Sequence, residues 1–166
     1  KAGLIVFMGD FLKTAVPCLL VRYLWPGAEG YACVYMLYTG FGVILGHNFP
    51  FYLKFKGGKG IAATAGIIFS LDWRLTAICL LAFIVIVAVT RYVSLGSLVV
   101  STILLVWNVI MGGKGAYGLS GAAFPEFTAL TAVICAMAFW RHRANIVRLM
   151  HGTENKIGTK KKKEEQ

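Results

Sequence analysis

The sequence predicts an all-α protein, a polytopic bundle of transmembrane helices with about six membrane segments. Hydrophobic residues make up 58% of the 166 residues and charged residues only 14%, whereas soluble domains have about 45–50% and about 25%. The apolar residues fall into runs that approach the length of about 20 residues needed for a helix to cross a bilayer. Lysine and arginine gather between these runs and in the C-terminal tail, which is typical of membrane edges.

Six apolar segments follow one another along the chain. The first, residues 3–24, contains Asp10 and Lys13, which lie three residues apart and so share a helix face on which they can pair. The second is residues 31–49, and Pro50 is expected to end it. The third, residues 61–71, is too short to cross fully at 1.5 Å per residue, so it either continues the crossing into residues 72–73 or is re-entrant. The last three segments are residues 75–90, 93–111 and 122–140.

The basic residues predict which loops share a side of the membrane. If each segment crosses once, loop 54–60, the turn at residues 91–97 and the region 141–156 lie on one face. The positive-inside rule makes this face cytoplasmic. If residues 61–71 are re-entrant, Arg91 and the tail move to the side opposite Lys59. Under the first count, three polar segments converge at one interface, as an active site requires.

The chain is expected to form one transmembrane domain, residues 1–156, followed by a basic tail, residues 157–166, that is disordered and attracted to anionic lipids. The net charge of +10 marks membrane edges instead of covering a soluble fold, so nucleic acid is not an expected partner. No metal or other cofactor is implied, because no acidic or Cys/His cluster has ligand spacing. The cysteines lie in apolar runs and are interpreted as small buried hydrophobes: Cys18, Cys33, Cys79 and Cys135.

Residues 46–64, GHNFPFYLKFKGGKGIAAT, form the most informative segment. Gly57, Gly58 and Gly60 surround Lys59, and Lys56 lies just upstream. Glycine lets successive N–H groups turn toward one anion, and lysine supplies the charge. The segment is not a Walker A motif, which needs Ser or Thr directly after the lysine. It predicts a phosphate-binding loop, and the alternative is a flexible basic loop that only fixes topology.

Two smaller signals lie near membrane edges. His47 either bonds the carbonyl groups that Pro50 frees at a helix end or has a chemical role, and the sequence does not separate the two. Ser94 and Ser97 would share a helix face, and Ser94 could instead cap that helix. No Asp or Glu lies near them in the chain and no GxSxG elbow is present, so a serine nucleophile is not expected. A serine that hydrogen-bonds a substrate hydroxyl remains an option.

The region 141–156 carries the last polar signal. His142, Asn145 and either Arg148 or Leu149 share a helical face. An imidazole, a carboxamide and a guanidinium together suit a polyol phosphate. The alternative is an amphipathic interfacial helix whose arginines face anionic lipids.

These segments closely resemble those of a known bacterial family, the small integral-membrane acyl-phosphate:glycerol-3-phosphate acyltransferases. The matching motifs are residues 46–64, TRYVSLGS at residues 90–97 and HRANIVRLMHGTENK at residues 142–156. The resemblance implies transfer of a fatty acyl group from acyl phosphate to glycerol 3-phosphate, giving lysophosphatidic acid for phospholipid synthesis, without a cofactor. It also implies a multi-pass protein of the bacterial plasma membrane. The family carries an earlier helix and a GSGNxGATNxxR motif that are absent here, so the chain is expected to be N-terminally truncated.

The resemblance also implies site residues. The expected catalytic residues are Lys59, Ser94, Ser97, His142 and Asn145. The expected phosphate-binding residues are Lys56, Gly57, Gly58, Lys59, Gly60, His47 and Arg148. Glu154 matches the last motif and is interpreted as structural. The expected partners are the two substrates and membrane lipids. The competing functions are a non-catalytic transporter or scaffold module with a basic, anion-binding cytoplasmic face, and an acyltransferase that uses acyl-CoA.

Overall fold

The computed structural model describes residues 2–25, 29–119 and 121–158. Within these ranges the chain forms seven α-helices and a 3₁₀ turn at Phe51–Leu53, which confirms the predicted all-α class. Four of these helices, α1, α4, α5 and α6, are long and apolar enough to cross a membrane. The shorter α2 and α3 have 17 and 11 residues. The bounds are α1 (Ala2–Leu24), α2 (Ala32–Asn48), α3 (Ile61–Leu71), α4 (Trp73–Thr90), α5 (Val93–Gly113), α6 (Ala123–Arg141) and α7 (Arg143–Met150).

Local chemistry explains where several helices begin and end. Helix α2 ends at Asn48, two residues before Pro50, as predicted. Asp72 alone separates α3 from α4, and its carboxylate accepts a hydrogen bond from the backbone N–H of Arg74 at 2.8 Å, which caps α4. Arg91 ends α4 in the left-handed region, with φ of 62°, so that α5 turns back directly.

Helix α3 carries the chain from one end of the bundle to the other. Its first turn follows loop 54–60, which is called the glycine–lysine loop below, and its last carbonyl groups, of Ser70 and Leu71, accept hydrogen bonds from Arg22 near the end of α1. Gly66 permits close packing of α3 on α1, because a Cβ atom there would lie 2.8 Å from the carbonyl oxygen of Phe11. The chain therefore changes ends at residues 61–71, in agreement with the count that treats this segment as a crossing.

Buried side chains of α2, α3, α5 and α6 contribute most of the core. The four cysteines are buried, as predicted. One polar pair lies within this core, where Asn108 Nδ2 donates to Thr131 Oγ1 at 3.1 Å between α5 and α6. The predicted pair on α1 also forms, with Lys13 Nζ donating to Asp10 Oδ1 at 2.5 Å.

Candidate active site

Three sequence-distant segments meet at the end of the bundle where α2 and α6 finish. Lys59 Nζ donates to Asn145 Oδ1 at 2.6 Å, which joins the glycine–lysine loop to α7. Ser94 Oγ donates to Glu154 Oε1 at 3.0 Å, which joins the start of α5 to the segment after α7. These bonds span 86 and 60 positions of the chain. They confirm the predicted convergence of loop 54–60, the turn at residues 91–97 and the region 141–156.

Glu154 holds this end of the bundle together. Its buried carboxylate accepts hydrogen bonds from Ser94, from Asn145 Nδ2 at 2.6 Å and from Arg148 Nε at 2.8 Å. Burial acts to raise the pKa of Glu154, but the bonds from Asn145, Arg148 and Ser94 outweigh it and keep the pKa below the ordinary value. The ionised carboxylate also orients Asn145. Because the amide Nδ2 of Asn145 donates to Glu154, its Oδ1 is left to accept from Lys59.

His142 lies between α6 and α7 and is only 2% exposed. Its Nδ1 atom is 2.8 Å from the carbonyl oxygen of Ala138. A carbonyl can only accept, so Nδ1 carries the hydrogen and Nε2 of the neutral ring is left as an acceptor. Burial lowers the pKa of His142, and the positive charge of Lys59 adds to this effect, while the bond to Ala138 opposes it. The net lowering favours the neutral ring.

The glycine–lysine loop lies directly on the last turn of α2. The N–H groups of Gly57 and Gly58 donate to the carbonyl oxygens of Asn48 and His47, each at 3.2 Å. A Cβ atom at Gly57 would lie 2.1 Å from the carbonyl oxygen of His47, and one at Gly58 would lie 2.1 Å from His47 Nε2. Only glycine fits at position 57, where the clash is with the backbone, whereas a side chain at position 58 would require the His47 ring to move.

The same loop leaves backbone donors free beside the start of α3. Gly60 has a φ of 78° and turns the chain into the helix, whose first bond runs from the N–H of Thr64 to the carbonyl of Gly60. Within the described part of the chain, the N–H groups of Lys59 and Gly60 donate to no other backbone group. The first N–H groups of any α-helix also lack partners within the helix. Together with the Lys59 ammonium group, they form a setting suited to an anion.

A cavity of about 590 Å³ opens beside this loop. Its lining combines polar groups of the loop, α1, α5 and α7 with the apolar rings of Phe7 of α1 and Phe83 of α4. Such a cavity can receive an anionic head group and a hydrocarbon chain together. Most of the expected site residues line it: His47, Lys59, Gly60, Ser94, Ser97, His142 and Asn145.

Four expected residues lie outside this cavity. The side chain of Lys56 is exposed to the exterior. Gly57 and Gly58 line a neighbouring cavity, on the side of the loop that faces Lys13. Arg148 reaches the cavity only through its ion pair with Glu154.

The two serines differ in what their hydroxyl groups contact. Helix α5 begins at Val93, and Ser94 donates to Glu154, so Ser94 is not the cap of this helix. Ser97 donates to the carbonyl oxygen of Val93 within its own helix, at 3.0 Å. The absence of an acidic residue near Ser94 in the chain was misleading, because the fold brings Glu154 to it from 60 positions away. A carboxylate in direct contact with the serine hydroxyl does not make a Ser–His–Asp triad, in which the histidine lies between the two.

Two polar groups beside the site were not predicted from the sequence. Asp10 Oδ1 lies 3.4 Å from His47 Nδ1, and Lys13 Nζ lies 3.0 Å from the same nitrogen, so His47 belongs to a polar cluster with α1. Arg141 donates to the carbonyl oxygens of both Gly57 and Gly58. The charged pair Asp10 and Lys13, inside an apolar helix, was the sequence pattern that could have indicated the first group. For Arg141, the sequence offered no signal beyond its place among other basic residues.

Comparison with known proteins decides the family. A family model described as glycerol-3-phosphate acyltransferase matches residues 1–152. The chain belongs to the glycerol-3-phosphate acyltransferase family. Among relatives with this name, the protein of Brucella ovis is 41% identical over 91% of this chain and 66% of its own length. The protein of Clostridioides difficile is 36% identical over 97% of this chain and 74% of its own length.

Two solved structures extend the match to three dimensions. Both are crystal structures of PlsY (YgiH), described as an integral membrane glycerol 3-phosphate acyltransferase, and both are 31% identical to this chain. The glycerol 3-phosphate form has a TM-score of 0.80 and covers 96% of this chain and 72% of PlsY. The lysophosphatidic acid form has a TM-score of 0.77, with 96% and 74% covered. The resemblance stated from the motifs is confirmed, and this glycerol-3-phosphate acyltransferase family member is a membrane protein.

Proposed function

We propose that the protein transfers a fatty acyl group from an acyl phosphate to glycerol 3-phosphate, giving lysophosphatidic acid and inorganic phosphate. The observation that carries the proposal is a cavity lined both by cationic and hydrogen-bonding groups and by phenylalanine rings. Family membership supports the reaction type. PlsY has been crystallised in glycerol 3-phosphate and lysophosphatidic acid forms, which correspond to the acceptor and the product.

The glycine–lysine loop binds a phosphate group in this proposal. The Lys59 ammonium group and the free N–H groups of Lys59 and Gly60 supply charge and donors without a rearrangement of the loop. Ser94 and His142 face the same cavity. They are suited to hydrogen-bond the glycerol hydroxyl groups, with His142 accepting at Nε2. Asn145 sets the position of the Lys59 side chain through its Oδ1 atom.

The chemical step places few demands on the protein. A glycerol hydroxyl oxygen forms a bond to the acyl carbonyl carbon, and the bond from that carbon to the phosphate oxygen breaks. The phosphate leaves with the electron pair, and one of its oxygens takes the hydroxyl proton. An acyl phosphate is a mixed anhydride, so its phosphate leaves readily. Catalysis then consists mainly of holding two anions close together, aligning the hydroxyl and stabilising developing charge with Lys59.

The surroundings of the cavity support a site at the cytoplasmic face of a bacterial plasma membrane. The loop 54–60 and the region 141–156 are the most basic segments between the apolar helices, and both lie at this end. The acyl chain would lie against Phe7 and Phe83, toward the lipid. A transport path is less well supported, because Asn108 and Lys13, the main intramembrane polar candidates, are engaged with Thr131 and Asp10.

The test is an acyl-transfer assay on the protein in detergent, with glycerol 3-phosphate and either acyl phosphate or acyl-CoA and without added metal. We expect lysophosphatidic acid from acyl phosphate alone. Product from acyl-CoA alone would replace the proposed donor. A cooperative thermal unfolding transition would show that the protein is folded. If such protein gives no product from either donor, the proposed function is rejected in favour of the non-catalytic module.

A further inference from the structure

Arg141, the last residue of α6, makes an unusual set of bonds to the glycine–lysine loop. Its Nε atom donates to the carbonyl oxygen of Gly58 at 3.0 Å, and its Nη2 atom donates to the carbonyl oxygens of Gly57 and Gly58 at 2.7 and 2.6 Å. Two adjacent carbonyl groups of one loop are thus bound by one guanidinium group from a helix 83 positions away. Arg141 does not line the main cavity.

We propose that Arg141 is a positioning residue that holds the glycine–lysine loop in its anion-binding conformation. This inference rests on the proposed function, since the anion is taken to be the phosphate group of glycerol 3-phosphate. Arg141 acts through the loop backbone and does not touch the substrate.

Peptide geometry connects Arg141 to the binding groups. In a planar trans peptide the C=O of one residue and the N–H of the next point in opposite directions. The carbonyl of Gly57 faces Arg141, and the N–H of Gly58 accordingly points the other way, to the carbonyl of His47. The carbonyl of Gly58 also faces Arg141, so the N–H of Lys59 is directed away from Arg141 and stays free of backbone partners in the described chain.

The glycines explain why the loop needs the bonds from Arg141, which are called the loop clamp below. Glycine has the widest backbone freedom of any residue, so Gly57, Gly58 and Gly60 would populate many loop conformations without external contacts. The bond from the Gly58 N–H group to α2 already sets the peptide plane that this N–H shares with the Gly57 carbonyl group, and Arg141 reinforces it. The plane of the Gly58 carbonyl and the Lys59 N–H has no such bond to α2 among the described contacts, so Arg141 is what fixes it.

The side chain of Arg141 is itself held in place. Its guanidinium group lies over the rings of Phe49 and Trp140, 5.5 and 5.8 Å from their centroids. A planar guanidinium can stack on rings and donate two bonds along one edge, whereas a lysine ammonium cannot do both in this geometry. The positive charge of Arg141 is also one of the influences that lower the pKa of Lys59, after burial, which is the largest.

The neighbouring Arg143 provides a matched control. It also lies over the ring of Trp140, at 4.8 Å, and its Nη1 atom donates to the carbonyl oxygen of Trp140 at 3.0 Å. It is exposed and has no hydrogen bond to the glycine–lysine loop among the described contacts. Loss of Arg143 removes the same charge and a similar stacking contact but leaves the loop clamp intact.

The experiment compares Arg141→Lys, Arg141→Ala and Arg143→Ala with the parent protein, by steady-state kinetics, thermal unfolding and direct binding of glycerol 3-phosphate by calorimetry. For both Arg141 variants we expect the KM and the Kd for glycerol 3-phosphate to rise about tenfold or more, with a smaller change in kcat, because a hydrogen-bonded charged group has been lost. Arg143→Ala should stay within about twofold of the parent. Added guanidinium should partly restore binding to Arg141→Ala and should not affect Arg143→Ala.

Two results would overturn the proposal. One is unchanged KM and Kd in Arg141→Lys. The other is a fall in the unfolding temperature of Arg141→Ala with unchanged KM and Kd, which would make Arg141 only a structural tie. The binding measurement separates this inference from the proposed function. A parent protein that binds glycerol 3-phosphate but makes no lysophosphatidic acid would reject the proposed reaction, while the Kd values would still decide the role of Arg141.

Discussion

Ser94 Oγ lies 3.0 Å from Oε1 of Glu154, and through this contact the start of α5 is fastened to the segment that follows α7. The same carboxylate also accepts from Asn145 and Arg148. Because Asn145 in turn accepts from Lys59, one buried charge positions groups from all three polar segments. Glu154 therefore influences both the stability of this end of the bundle and the geometry of the cavity.

Glu154→Gln should destabilise the protein by about 1–3 kcal/mol, because glutamine has only one acceptor oxygen and cannot accept from Arg148 while it also accepts from Ser94 and Asn145. Thermal unfolding in detergent would measure the change. Glu126→Gln is the control, since its bond to Tyr38 is exposed and lies outside the site. Equal unfolding temperatures for Glu154→Gln and the parent would show that this carboxylate does not support the fold.

Lys59→Ala should reduce turnover by about 100-fold or more with little loss of folded protein, because the cavity would lose the ammonium group that lies beside the free N–H groups. Lys56→Ala should remain close to the parent, since Lys56 is exposed outside the cavity. Acyl transfer at saturating substrate measures both. Comparable losses in the two variants would mean that both lysines act on the substrate, in disagreement with their different positions.

His142 should make stability depend on pH. Burial lowers the pKa of His142, so the unfolded chain takes up a proton at higher pH than the folded protein does. The free energy of unfolding should therefore fall as pH decreases through about 6.5, by at most about 1.4 kcal/mol per pH unit. His142→Gln should reduce this slope. Identical slopes for parent and variant, measured by denaturant unfolding between pH 7.5 and 5.5, would contradict a lowered pKa.

Gly57→Ala should weaken binding of glycerol 3-phosphate and lower the unfolding temperature. The added Cβ atom would lie 2.1 Å from the carbonyl oxygen of His47 and 2.5 Å from Cδ of Pro50, so the loop would have to move. Gly42→Ala is a matched control, because a Cβ atom on Gly42 meets nothing within 4 Å. Unchanged Kd for Gly57→Ala would indicate that the loop tolerates the shift.

The helices and the three polar segments could be predicted because each depends on a local pattern. Apolar runs set the helices, and Pro50 set the end of α2. The glycine–lysine loop was recognisable because glycine and lysine together suit an anion wherever the loop is placed. The sidedness depended on residues 61–71, and the contact of Arg22 with the end of α3 supports the interpretation in which this segment changes sides.

The remaining features depend on long-range contacts that no local pattern encodes. Lys56 and Lys59 have the same chemistry, and only the path of the loop places Lys59 on the cavity. Glu154 was interpreted as structural, and its contact with Ser94 could not be read from residues 60 positions apart. Arg141 resembles any basic residue at a membrane edge until the carbonyl groups of Gly57 and Gly58 are placed against it.

The bonds that complete the site also set an order for its assembly during synthesis. A chain that emerges from the ribosome and inserts one helix after another presents the loop with Lys59 and the turn with Ser94 well before their partners exist. Asn145 and Glu154 follow α6 in the chain, so they leave the ribosome after it. A growing chain would therefore gain its anion site in a single late event, when α7 folds back onto the earlier loops. Unfinished copies would not compete with the finished enzyme for substrate.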